Sequence, residues 1–261
     1  MKIQLPENIR LNRPEQSVLS VEVYPERFSL LLYNPEVAAD YFYYPIPADH
    51  AADAFSQFQE VFFDNEFFAL PFRNVFIINY ETTFTFVPDL LFEEKDRDEY
   101  LRFLFTENTG RTLSNRLPKS DLAVVHTMPE ERYVFFQRSF PGCRMLHYTA
   151  PVITHFQENN DLVNGNRMII HNRKEGIDVF CFSRDHFLFA NHFPCSQPED
   201  AVYYALFVWR QLKFNQLKDY LYIMDTGDEL AERLSDYVRK VAPALLNRAV
   251  PFETTALSLC E

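Results

Sequence analysis

RMIIHNRKEGIDVFCFSRDHFLFANHFPC, residues 167–195, decides how this chain is read. Apolar and aromatic residues dominate three runs, 167–172, 176–183 and 187–193, and two tight turns separate them, so the stretch predicts three β-strands in a meander. The first turn, Asn172-Arg173-Lys174-Glu175-Gly176, raises a question of chemistry, because folds that open on such a meander often hold a phosphate there. Beyond it, Ser196-Gln197-Pro198-Glu199 reads as a capping box that opens a helix. That helix, Ala201–Leu212 (AVYYALFVWRQL), is apolar nearly all round, and a strand over Asp219–Met224 (DYLYIM) follows. Its leading role is core packing, with an exposed aromatic face for another subunit as the rival.

The same plan stands earlier in the chain. Ser17–Tyr24, Arg27–Tyr33 and Asp40–Pro45 read as strands, Ala48–Phe63 as an amphipathic helix and Asn74–Tyr80 as a buried strand. The spacing repeats: Val21 and Ile170 differ by 170 − 21 = 149, Pro45 and Pro194 by 194 − 45 = 149, and Phe58 and Phe207 by the same 149. The next strand pairs Val75 with Tyr220 at 220 − 75 = 145. Repeated spacing of whole elements predicts a duplication. Between the copies lie a strand over Phe84–Pro88, an acidic helix from Asp89 to about Phe105, a strand over Leu122–Thr127 and a helix over Pro129–Ser139. A strand over Arg144–Tyr148 and a polar connection over Glu158–Asn166 complete the first half. The expected domains are 1–148, with an insertion at about 82–127, and 149–261.

The totals bound the partners. The 261 residues, 47% hydrophobic with 27 Phe and 14 Tyr against 5 Gly, predict ring-packed cores and few places where backbone can approach a ligand. A net charge of −12 disfavours nucleic acid and anionic membrane surfaces. Cys143, Cys181, Cys195 and Cys260 lack metal or disulfide spacing, the first residues lack the apolar core of a signal peptide, and no run suits a membrane span. The expectation is a soluble cytoplasmic protein with free thiols.

Two successive β-β-β-α-β units, each running on into a helix, resemble the duplicated ribonuclease-H-like domains of the actin, hexokinase and Hsp70 superfamily. The inserted segment and small second domain are similar to the actin-like assembly proteins of pilus and secretion machines. The whole chain resembles a bacterial family known as a domain of unknown function with an actin-like ATPase fold. The resemblance implies an α/β fold of two ribonuclease-H-like domains with mixed five-stranded sheets. It also implies an Asp-x-Gly phosphate loop at the first turn of each domain and paired glycines beside the adenosine. Here the first turn is Tyr24-Pro25-Glu26-Arg27, where Pro25 has no N–H to offer and no glycine stands beside it. The second turn keeps Gly176 but lacks the aspartate, and Met224-Asp225-Thr226-Gly227-Asp228 keeps one glycine between two acids.

Other chemistries find less. His186 and His192, with Cys195, Cys181 and His171 nearby, suggest a metal site, but six residues of extended strand hold those two histidines roughly 20 Å apart. A two-metal nuclease would need acids where the first copy offers Glu22 and the second His171, with Asp225 far along the second. There is no Gly-x-Ser-x-Gly elbow. The run Glu93–Glu99 (EEKDRDE) reads as a solvated helix face, and its rival is an acidic docking patch with Phe84, Phe86, Leu90, Leu91 and Phe92 as apolar anchors.

The expected function is a non-catalytic protein-interaction module on a degenerate actin-like ATPase fold, with a protein partner, no catalytic residues, no metal and no cofactor. The alternative is a divergent enzyme that binds ATP-Mg through Arg173, Lys174 and Gly176 for phosphate and Thr226 and Gly227 near adenine.

Overall fold

The computed structural model describes residues 1–243 except 7, 8, 10, 38, 39, 48–52, 106–109, 159–164 and 225–227. The chain divides into two compact units, 1–151 and 152–252, with the division inside one helix between Pro151 and Val152.

The first unit opens with β1 (Val18–Val23), β2 (Phe28–Tyr33) and β3 (Tyr41–Pro45), then α1 (Ala54–Asp64) and β4 (Asn74–Asn79). An added segment carries β5 (Phe84–Pro88), α2 (Arg97–Leu104), β6 (Arg111–Leu117) and β7 (Leu122–Met128). After it come α3 (Glu130–Ser139), β8 (Arg144–His147) and α4 (Thr149–Glu158), the helix in which the units part. The main sheet runs β3-β2-β1-β4-β8, with β1, β4 and β8 parallel. The added segment makes its own antiparallel sheet, β5-β7-β6. Leu19, Val21, Leu30 and Ile77 pack on Phe55 and Phe58 of α1 and Phe136 of α3. Phe28 and Phe58 stack at 4.8 Å, and Phe62, Phe68, Phe135 and Phe140 extend the cluster of rings. Asp53 caps α1 by accepting from Ser56 N at 3.0 Å.

The second unit repeats the strand order as β11-β10-β9-β12-β13, from β9 (Asn166–Arg173), β10 (Gly176–Ser183), β11 (His186–Pro194), β12 (Tyr220–Ile223) and β13 (Val241–Pro243). Its helices are α5 (Pro198–Gln211) and α6 (Asp228–Ser235). Met168, Ile170, Val179 and Leu221 pack on Ala205, Val208 and Trp209 of α5 and Leu230 and Leu234 of α6. The meander of residues 167–195 therefore supplies three of the sheet's five strands. No helix among the described residues is long and apolar enough to cross a membrane.

Several expectations need correction. Helix α1 begins at Ala54, and residues 48–52 of the expected helix lie outside the described residues. The acidic helix from Asp89 does not form as one piece. Phe92 is buried among Val87, Leu101 and Val125, and the extended backbone at Phe92 and Glu93 that puts it there leaves only Arg97–Leu104 α-helical. Strand β6, RTLSNRL, is too polar to show a strand pattern and escapes a sequence reading. The helix cap is Gln197 with Asp200, one residue beyond the Ser196/Glu199 box, because Pro198 takes the first helical position.

Register also corrects the spacing. Leu19 lies opposite Val75 and Met168 opposite Leu221, so with β1 and β9 aligned at 149 the following strands align at 221 − 75 = 146, not 145. A slip of one would turn the strand over. The Phe58–Phe207 match is one of letters only: Phe58 is fully buried, whereas Phe207 is 45% exposed.

Candidate functional site

Both first turns lie at the end of a central strand, where the resemblance places phosphate, and each is engaged by the protein's own side chains. In the first unit, Tyr24 N donates to the Arg27 carbonyl at 3.0 Å to tie the turn. The carbonyls of Tyr24 and Pro25 accept from the two terminal nitrogens of Arg132, on α3, at 3.1 and 2.9 Å. Arg132 is only 7% exposed and has Glu81 at 3.7 Å, with its guanidinium over the Phe28 ring. A phosphate needs donors; this turn offers Arg132 two acceptors.

Behind the turn, Tyr24, Tyr80 and Tyr148 stack with centroids 4.1 and 4.9 Å apart, at the ends of the three parallel strands. Burial, then the nearby Glu22 carboxylate, push the Tyr24 hydroxyl well above its ordinary range. Glu22 itself is buried and reaches the hydroxyls of Tyr24 and Tyr43 at 3.4 and 3.5 Å, so the acid considered for a nuclease is enclosed in a tyrosine cage. Beside it, Asn79 donates to the Thr127 carbonyl at 2.6 Å and lies 2.8 Å from His126 Nδ1. Burial holds the His126 imidazole down at about 3, so it is neutral at physiological pH.

In the second unit the turn is closed by an ion pair. Register sets His171, Asp178 and His192 side by side across β9, β10 and β11. Asp178 is fully buried; its Oδ1 lies 2.7 Å from His192 Nδ1, and its Oδ2 lies 3.0 Å from Arg173 Nε and 3.4 Å from His171 Nδ1. Burial alone would raise this carboxyl, but hydrogen bonds from His171 and His192 and the charge of Arg173 outweigh it and hold the group well below the usual carboxylate range. Arg173, expected as a phosphate ligand, thus turns into the sheet. Gly176, at φ 150°, has a packing reason to be glycine: a Cβ there would lie 2.2 Å from the Phe193 carbonyl oxygen. Arg173, Lys174 and Gly176 nonetheless all border a cavity of about 250 Å³ with Asn172, Gln197 and Glu229. Thr226 and Gly227 lie outside the described residues.

The histidines and cysteines do not gather. No group of three metal-ligating side chains occurs among the described residues. Cys143, Cys181 and Cys195 are free thiols, and burial pushes Cys143 up to about 11. Sequence reasoning missed the hub of the second site, Asp178, because an acid within IDVFCF reads as an outward residue of an alternating strand; its signal is two histidines at matching positions on both neighbours.

The docking patch is partly as expected. Leu90 and Leu91 are 96% and 65% exposed, but Phe84 and Phe92 are buried and Phe86 is half-buried. Phe103 and Leu104, at the end of α2, were not anticipated and are 88% and 56% exposed. Tyr100 links the two ends, its hydroxyl donating to the Leu91 carbonyl at 2.7 Å. The acidic run is partly self-paired, with Arg97 on Glu94 and Lys95 on Glu93, both at 2.7 Å. Helix α5 divides its faces: Ala201, Ala205, Val208 and Trp209 are core, while Tyr203 and Phe207 are exposed.

Comparisons agree with this architecture. A crystal structure from Bacteroides thetaiotaomicron, described as a protein with actin-like ATPase fold and unknown function, is similar with a TM-score of 0.85 and 28% identity, covering 97% of this chain and 99% of that one. The PilM-PilN type IV pilus biogenesis complex contains a chain that shares the fold at a TM-score of 0.53 and 13% identity, covering 93% of this chain and 97% of that one. A search of curated proteins finds no match. The fold is that of the actin-like ATPases, and the family model described as protein of unknown function (DUF3822) matches residues 6–241, so the chain belongs to that family.

Proposed function

We propose that this protein is a non-catalytic interaction module, an actin-like fold kept for its surfaces after its phosphate turns were closed from within, its two units having arisen by duplication. The observation that carries the reading is the Arg132 guanidinium on the carbonyls of Tyr24 and Pro25, which sets acceptors and a bound cation where a phosphate would require free N–H donors. The docking face is the added segment, where Leu90, Leu91, Phe103 and Leu104 project beside the acidic run. A fold relative that occurs in a complex, PilM-PilN, is in keeping with a protein partner. The cytoplasmic location expected from cysteine spacing is part of the same proposal.

Titrating ATP-Mg²⁺ against the folded chain tests it. A nucleotide bound to the native state alone adds about 2.7 kcal/mol of stability at a hundredfold excess over Kd. No rise in melting temperature is expected at millimolar ATP; a rise that Lys174→Ala abolishes would establish the other reading. That second reading, a divergent ATP-binding enzyme, draws on one observation, the cavity that Arg173, Lys174 and Gly176 all border near the start of α5. For docking, Leu90→Ser with Phe103→Ser should abolish capture of a native partner, and reversing Glu93, Glu94 and Asp98 to lysine should weaken it. Undiminished capture by both folded variants would move the interface elsewhere.

A further inference from the structure

A cavity of about 510 Å³ lies at the far end of α5, remote in sequence from both turns. Leu206, Trp209 and Phe214 give it an apolar wall, with Trp209 and Phe214 edge to face at 5.3 Å. Arg210, Lys213, Asn215 and Gln216 supply the polar side. No acid lines it, in a chain with 37 acids against 25 Lys and Arg.

Apart from Gln216, whose amide offers both an acceptor and a donor, its polar side chains present donors. Arg210 and Lys213 are exposed and form no ion pair among the described residues. The indole N–H of Trp209, a residue only 2% exposed, meets no acceptor there. The Asn215 side-chain oxygen is already taken by the N–H groups of Leu217 and Lys218, at 2.9 and 3.1 Å, so its amide NH₂ is what remains.

The backbone adds an independent pointer. Helix α5 ends in a Schellman turn: Phe214 N donates to the Trp209 carbonyl and Lys213 N to the Arg210 carbonyl, both at 3.0 Å. The position that turn puts in the left-handed region, φ 56°, holds Lys213. Glycine or asparagine would sit there at lower cost than this lysine. The turn also engages two of the helix-end carbonyls that would otherwise repel an anion.

We propose that this cavity binds an amphipathic organic anion, a carboxylate on a short apolar body, its head on Arg210, Lys213 and the Asn215 amide and its body on Leu206, Trp209 and Phe214. Trp209 is the chain's single tryptophan, so its emission reports binding directly. Octanoate titrated against the full chain should shift that emission saturably. Octanol, with the same body and no charge, should bind at least about tenfold more weakly, a difference of about 1.4 kcal/mol, and octylammonium should not bind. Arg210→Gln with Lys213→Asn should weaken octanoate by a similar factor without lowering the thermal midpoint, since asparagine suits the left-handed position. Equal binding of octanol and octanoate, full octanoate affinity in the folded double variant, or no saturable response in the native chain would each overturn the assignment.

Discussion

The two first turns occupy the same place in two sheets of the same strand order, yet they are closed by opposite means. In the first unit a cation arrives from a helix and takes backbone carbonyls; in the second the strand's own arginine bends onto a buried aspartate of the next strand. The lesson is that a loop can lose a ligand without losing its charge. Arg173 reads in sequence as a surplus cation beside a glycine, and only the register that brings Asp178 beside it shows where the charge is spent. In the first unit no cation of the turn points the same way, and Arg132 comes from more than a hundred residues downstream.

Removing the anionic hub tests the comparison most severely. Asp178→Ala leaves Arg173 buried beside two histidines, and breaking a buried pair from one side costs roughly 3–5 kcal/mol; denaturant unfolding should show a loss of that order. Arg132→Met keeps much of the stem's packing but strands two carbonyls. It should cost about 2–3 kcal/mol, the scale of hydrogen bonds from a charged donor. If the second change exceeds the first, the helix-borne clamp is the stronger device and the contrast is inverted.

Acid distinguishes a neutral buried group from a charged one. His126 and His155 are lowered by burial to about 3 and about 4, so below about pH 6.5 the unfolded chain binds protons that the folded chain refuses. Stability should therefore fall as pH drops from about 6.5, with that slope reduced in a folded His126→Gln variant. Asp178 is depressed instead, so its contribution is intact above the ordinary aspartate value, about 3.9, and is lost only as pH falls below it towards the folded pKa. Urea midpoints measured across this range should show the histidine effect first and the aspartate effect last. The smallest expected effect is Gly176→Ala, about 1–3 kcal/mol for forcing a Cβ against the Phe193 carbonyl; a neutral result would return that glycine to ligand binding.

Fold was more legible than site because the two rest on different scales of pattern. Strand runs such as 18–23 and 176–183 are buried on both faces along nearly their whole length, so apolar residues dominate each despite Ser20, Glu22 and Asp178. Strand β6, RTLSNRL, has only Thr112 and Leu117 buried and shows no such stretch. The missing aspartate and Pro25 were visible as letters. Arg132 and Asp178 were not visible as partners, because each acts through a neighbour that only strand pairing or helix packing supplies. Phe92 and Phe103 show the limit for surfaces: of two phenylalanines flanking one acidic run, one is enclosed and the other almost wholly exposed.

The order of strands has a consequence for how the protein is made. On leaving the ribosome, β9, β10 and β11 are joined by turns of two residues and can pair at once, whereas the parallel partner of β9, strand β12, begins 220 − 173 = 47 residues after β9 ends. For that interval of synthesis the inner edge of β9, carrying Met168, Ile169 and Ile170, has no strand to cover it. The central strand of the finished sheet is the one left longest open to the wrong neighbour, and the slow step of safe assembly falls on the helix and loop that deliver β12.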